Sequence, residues 1–174
     1  CRSAYENAET FMRNEENGSY KRNMQEVFKQ LRSKLRTDAK IILLGYPYLA
    51  KDDNFTLNNI FNNESYEASK NVRELGRLGD EVQKSLIPPQ EPDKADIYFY
   101  GGIKDHFVNH EPDMTDFWHN NSEKWIHTFG SRISTDWFHY NPTGHREIAN
   151  NLFANLEEHV NGYPLRTQQD YDVI

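Results

Sequence analysis

Three observations predict an α/β domain built on a parallel sheet. The runs Lys40–Tyr46 and Ala95–Tyr100 are short, apolar and uninterrupted, as strands buried on both faces are. Each run follows a stretch of helical periodicity, and each closes on glycine, at Gly45 and at Gly101-Gly102. The resulting order is helix, strand, helix, strand, long loop, helix. Alternation of this kind implies right-handed crossovers and helices on both faces of a three-layer α/β/α parallel sheet. Two strands make a poor sheet. The expected whole is therefore the second half of a doubly wound domain, with its first strands on polypeptide outside this sequence.

Taken in order, residues 20–36 are expected to form a helix, because Tyr20, Met24, Val27, Phe28, Leu31 and Leu35 recur at three- and four-residue steps. The strand at 40–46 comes next and is ended by Pro47. Residues 50–65 are rich in Asn and Asp with few apolar anchors, as in a long surface loop. A second helix is expected over 66–87 on the stripe Tyr66, Leu75, Leu78, Val82 and Leu86, stopped by Pro88-Pro89. After the strand at 95–100, residues 103–135 show no regular period and are expected to be a large loop, with a short helix near Thr115–Trp118. The last helix is expected over 142–160. Asn141 is placed to cap it and Pro142 takes its first position, where a missing N–H costs nothing. Its core stripe is Ile148, Leu152, Phe153, Leu156 and Val160. The domain is expected to span 1–161, with 162–174 a linker.

The chain has 174 residues, enough for one domain with a real core or for part of a larger one. A net charge of −7 argues against a nucleic-acid binder that relies on neutralising phosphates. No apolar run approaches the roughly 18 residues of a membrane span. Mean hydropathy is low, at −0.93. Ten Tyr, ten Phe and three Trp supply core material that the aliphatic residues alone would not. Cys1 is the single cysteine, so it is either a free thiol or paired outside this sequence. The opening residues lack a signal-peptide pattern and an initiator Met, so the chain is expected to begin mid-protein. Sequons at Asn17, Asn54, Asn63 and Asn120 are acceptors for glycosylation in a eukaryotic secretory protein.

The chemistry concentrates in Asp136-Trp-Phe-His139-Tyr-Asn-Pro-Thr-Gly144-His145, just before the last helix. A carboxylate three residues from an imidazole reaches one ring nitrogen, and the other is left free to take a proton from a nucleophile. A surface Asp and His flanking an ordinary helix start would give the same spacing. His110, Trp125 and Tyr140 are candidates for lining a substrate cleft, with Trp118 beside them; aromatics at this density also build cores. His145 is a further candidate base. The cluster Asp105-His106-x-x-x-His110-Glu111 contains metal-ligand types, but it lacks His-Glu-x-x-His spacing and no Cys supports a zinc site, so no metal or other cofactor is expected.

Four separated pieces resemble one family. The strand Ile41-Ile42-Leu43-Leu44-Gly45-Tyr46-Pro47, the helix with Val72-Arg73-Glu74-Leu75, the segment Phe107-Val108-Asn109-His110-Glu111 and the block Asp136 to His145 are similar to the C-terminal half of SGNH hydrolases, the GDSL esterase/lipase family. The strand and the Phe107–Glu111 segment are similar to those of the secreted, actinobacterial-type branch. Asn109 stands where that branch usually has Gly. Tyr140 stands where the family usually has Pro, which is expected to loosen the turn without touching a catalytic atom. In the family's pattern His145 belongs to that turn, which implies packing rather than catalysis.

The resemblance implies a three-layer, flavodoxin-like α/β/α fold and an extracellular location. It also implies a Ser-His-Asp triad in which His139 is the base and Asp136 the acid that orients it. An ester is the implied substrate: an acyl lipid, an acetyl or a sugar ester. Neither Gly-Asp-Ser nor Gly-x-Asn occurs in this sequence. The nucleophile and part of the oxyanion hole are thus expected on preceding polypeptide, the missing N-terminal half of the domain. Each oxyanion donor supplies roughly 3 kcal/mol of transition-state stabilisation, so this chain alone should be nearly inert. The alternatives are a binding module of similar shape that has lost catalysis, and a metal-dependent hydrolase using the His-rich loop.

Overall fold

The computed structural model describes residues 2–58, 64–115, 123–127 and 138–159, with side chains as far as 155. Five helices and two small sheets make a mixed α/β architecture among these residues. The chain order is α1 (Arg2–Arg13), α2 (Tyr20–Lys34), β1 (Lys40–Leu44), β2 (Leu57–Asn58), β3 (Ser65–Tyr66), α3 (Ala68–Ser85), β4 (Asp96–Tyr100), α4 (Ile103–His106) and α5 (Pro142–His159).

The parallel sheet is the frame. β1 and β4 pair in register from Lys40↔Asp96 to Leu44↔Tyr100, and the ladder runs on as the Gly45 N–H donates to the Tyr100 carbonyl at 2.8 Å. Parallel strands need a long connection, and α3 supplies it. Because side chains alternate along a strand, β1 sends Ile41 and Leu43 to one face and Ile42 and Leu44 to the other. The first pair joins Ile97 with Phe28, Met24 and Tyr20 of α2 and Leu75, Leu78 and Val82 of α3. The second pair joins Tyr100, Ile103 and Phe107 with Ile126, Tyr140, Ile148 and Leu152 of the α5 side. The sheet is thus packed on both faces, as expected of strands that read as uninterrupted apolar runs.

The helices hold where their ends are satisfied. Ser19 caps α2, its hydroxyl accepting from the Arg22 N–H at 3.4 Å. Arg32, in the last turn of α2, donates to the carbonyls of Ala95 and Pro89 at 2.9 and 3.0 Å and pairs with Glu91 at 2.8 Å, tying the helix to the approach of β4. The apolar stripe of α2 is covered only in part: Val27, Leu31 and Leu35 stay 47, 38 and 42% exposed. α3 starts two residues later than its periodicity suggested, because Tyr66 pairs with Leu57 in the β2–β3 ladder. That ladder interrupts the expected 50–65 loop, whose front is clamped by Arg73 of α3. The Arg73 guanidinium donates to the carbonyls of Ala50 and Lys51 at 2.8 and 3.0 Å and pairs with Asp53 at 3.0 Å.

Two helices lie where none was expected. α1 carries Tyr5, Ala8 and Met12 at helical spacing; Met12 reaches the α2–α3 cluster and the Tyr5 hydroxyl donates to Glu74 of α3 at 3.3 Å. α4 is a single turn that buries Ile103 completely, opening the stretch read as loop. The short helix expected near Thr115–Trp118 falls beyond Thr115 on residues outside those described, as does the 161/162 boundary. In α5, Ile148 and Leu152 pack inward, but Phe153 is 42% exposed, one position round the helix from the covered stripe. The Leu156 and Val160 side chains lie outside those described. No described helix is long and apolar enough to cross a membrane.

Candidate active site

Both parallel strands end on the same side of the sheet, and the loops that leave them carry the residues singled out by sequence. In open α/β sheets the carboxyl ends of the strands are where ligands bind. From β1 the chain passes through Gly45 to Tyr46; from β4 it passes through α4 to His110 and Glu111. Segment 123–127 and segment 138–141 meet at this end as an irregular antiparallel pair. The Phe138 N–H donates to the His127 carbonyl and the His127 N–H to the His139 carbonyl, each at 2.9 Å, and Ile126 bridges Tyr140.

Asn141 caps α5 as expected, and it also fixes this pair to the helix. Asn141 Oδ1 accepts from the Gly144 N–H at 2.9 Å while its Nδ2 donates to the Lys124 carbonyl at 2.6 Å. Its own N–H donates to the Trp125 carbonyl at 3.0 Å. Gly144 has to be glycine for a reason the motif alone does not give: a β-carbon there would lie 2.2 Å from that same carbonyl oxygen. β4 is linked to the helix as well, since the Tyr100 hydroxyl donates to Asn151 Oδ1.

His139 sits on this turn with its side chain exposed, between Phe138 and Tyr140, which are half-buried. Phe138 has a positive φ of 65°, uncommon for a bulky side chain. The Tyr46 hydroxyl donates to the Phe138 carbonyl at 2.6 Å, so the end of β1 is bonded to the residue before the imidazole. Tyr140 does not loosen the turn. Its ring lies 4.9 Å from that of Tyr46 and 5.6 Å from that of Phe107, within the apolar cluster. Burial raises the pKa of both phenols above the ordinary tyrosine value, with the neighbouring Tyr46 adding to the rise at Tyr140. Asp136 lies outside the described residues, as do Trp118 and His119.

The remaining candidates form one aromatic assembly. His110 stacks flat on Trp125, with ring centroids 3.6 Å apart and planes 3° apart. Its Nδ1 lies 2.5 Å from the Glu123 carbonyl, a contact in which the ring nitrogen donates, since a carbonyl oxygen only accepts. Trp125 in turn stands edge-on to Phe107 at 5.1 Å and is half-buried. Trp125 and Tyr140 therefore build the wall of the core at this end, and His110 covers it. His145 is exposed, its ring edge-on to Tyr140 at 5.5 Å, so it packs less deeply than its place in the turn suggested.

Asn109 adopts a φ of 72°. Asn is the residue, after glycine, that best tolerates this left-handed backbone, which explains how it stands where the similar segment has Gly. Within the Asp105–Glu111 cluster the two imidazoles part, His110 to Trp125 and His106 toward Glu147. His106 Nε2 approaches Glu147 Oε2 at 3.5 Å but gains no hydrogen bond, and Glu111 is 3% exposed. No group of three or more such side chains is gathered as a metal site among the described residues. Sequence reading quoted Tyr46 only as part of the family-like strand and gave it no role, because its contact lies 92 positions away.

No family model, curated protein or solved structure matches the chain.

Proposed function

We propose that the chain supplies the acid–base half of a serine ester hydrolase, with His139 as the base and Asp136 as the carboxylate that orients it. The observation that carries the reading is the setting of His139. It is an exposed imidazole on a turn tied to β1 through Tyr46, and to α5 through Asn141, at the carboxyl ends of a parallel sheet. Ester hydrolysis by a serine needs a base to take the hydroxyl proton and return it to the leaving alcohol. A neutral imidazole serves that purpose near pH 7, provided a partner holds its other nitrogen. The four segments similar to SGNH hydrolases support the same reading, and the packing of β1 and β4 on both faces is in keeping with a three-layer doubly wound fold. The nucleophile and the oxyanion donors belong, on this reading, to polypeptide preceding Cys1, and the substrate is an ester met outside the cell.

The test is made on the protein expressed with whatever polypeptide its gene encodes ahead of Cys1, with p-nitrophenyl acetate as substrate. His139→Ala is expected to lower kcat by roughly 10³-fold or more while the cooperative unfolding transition is retained. Asp136→Asn is expected to cost less, though still more than tenfold. Unchanged turnover in the His139 variant rejects the assignment.

A further inference from the structure

Three features surround His139 that its own sequence block does not explain. Phe138, just before it, is held at a φ of 65°. The carbonyl of Phe138 accepts a 2.6 Å hydrogen bond from the Tyr46 hydroxyl. Tyr140, just after it, lies with its ring 4.9 Å from that of Tyr46. One side chain at the end of β1 thus touches both neighbours of the imidazole-bearing residue. The base of Tyr46 is itself rigid, because the Gly45 N–H continues the β1–β4 ladder and Pro47 behind it is fully buried.

We propose that Tyr46 is a positioning residue, which sets the direction of the His139 side chain by fastening the Phe138 carbonyl and bracing the Tyr140 ring against the end of β1. The proposal rests on the acid–base reading of His139. A positive-φ aromatic residue relaxes toward ordinary backbone geometry unless something holds it. The antiparallel pair with residues 126–127 holds it from one side, through the Phe138 N–H and the His139 carbonyl. Tyr46 holds it from the other. The strap also accounts for the absence of proline after His139: a ring braced between Tyr46 and Phe107 restricts residue 140 by packing, where proline would restrict it by covalent geometry. A phenol with the ordinary tyrosine pKa of about 10 keeps its proton, and so its hydrogen bond, through neutral pH.

Tyr46→Phe keeps the ring and removes the hydroxyl that bonds the Phe138 carbonyl and meets the Tyr140 hydroxyl, and two readouts follow it in the protein expressed with the polypeptide ahead of Cys1. Amide exchange at Phe138 and His127 is expected to speed up about tenfold, with the melting temperature nearly unchanged, since the ring and its packing remain. Turnover of p-nitrophenyl acetate is expected to fall about tenfold in kcat with KM within a factor of two, because the base is misdirected rather than the substrate unbound. Unchanged exchange overturns the proposal, and so does faster exchange with unchanged kcat. If exchange responds but the unsubstituted protein hydrolyses no ester, the hydrolase reading fails, and the tether between β1 and the His139 turn stands without it.

Discussion

A methyl group at residue 144 would press 2.2 Å from the Trp125 carbonyl oxygen and 3.1 Å from its carbon. Both are backbone atoms, and neither can swing aside as the end of a long side chain does. Gly144→Ala is therefore expected to destabilise the protein by about 3 kcal/mol, at the upper end of overpacking costs. Urea unfolding measures it, and a loss below about 0.5 kcal/mol would show that α5 shifts freely. The same scale shows what a motif conceals. Gly144 and Asn109 were visible as parts of a family-like pattern, but the close approach of one and the left-handed backbone of the other depend on neighbours. Tyr46 stood in that pattern too, after Gly45, but its role was hidden for the same reason. Its hydroxyl finds Phe138 only because the β1–β4 register brings the two loops together.

At the scale of elements, α5 was the most legible part of the chain. Pro142 and the side chain of Asn141 state where the helix begins, and both effects are local. Asn141→Ala removes the bond to the Gly144 N–H and the bond to the Lys124 carbonyl together. The expected loss is about 2 kcal/mol, toward the top of the range for a cap, because segment 123–127 is released as well. Asn141→Asp, which keeps the cap acceptor but not the donor, is expected to recover part of it in the same unfolding experiment.

α2 shows where periodicity stops being informative. Its apolar stripe correctly indicated a helix, yet Val27 and Leu31 remain open on one flank while Phe28 is buried. Periodicity locates the face of a helix, but which part of that face is covered depends on what packs against it. The missed α1 has the converse history. Tyr5, Ala8 and Met12 were spaced for a helix, but with so few apolar groups the segment is helical because α3 and α2 give it a surface to lie on.

The whole molecule carries more apolar surface than its small sheet explains. Every residue of β1, Lys-Ile-Ile-Leu-Leu, is only half-buried, although the strand has the composition of one from the interior of a sheet. Phe11, Val27, Leu31, Leu35 and Phe153 add exposed apolar area on the helices. Among the described residues no further strand pairs with β1 or β4, and an unpaired edge is a template for further pairing. The 174-residue chain expressed by itself is expected to bind a hydrophobic dye and to self-associate as its concentration rises. Dye fluorescence and light scattering decide this, and a monomer with a sharp cooperative melt and no dye signal would contradict it.

What the sequence determined by itself is the class of the architecture and the start of its last helix. Strand runs, helical stripes and the Asn141-Pro142 cap are written in spacings of a few residues. The tertiary structure decided the rest: that Tyr46 meets Phe138, that Trp125 supports His110, and that part of the α2 stripe stays open. These contacts join residues tens of positions apart, and no short-range rule of chain chemistry fixes which distant groups a folded sheet will bring together.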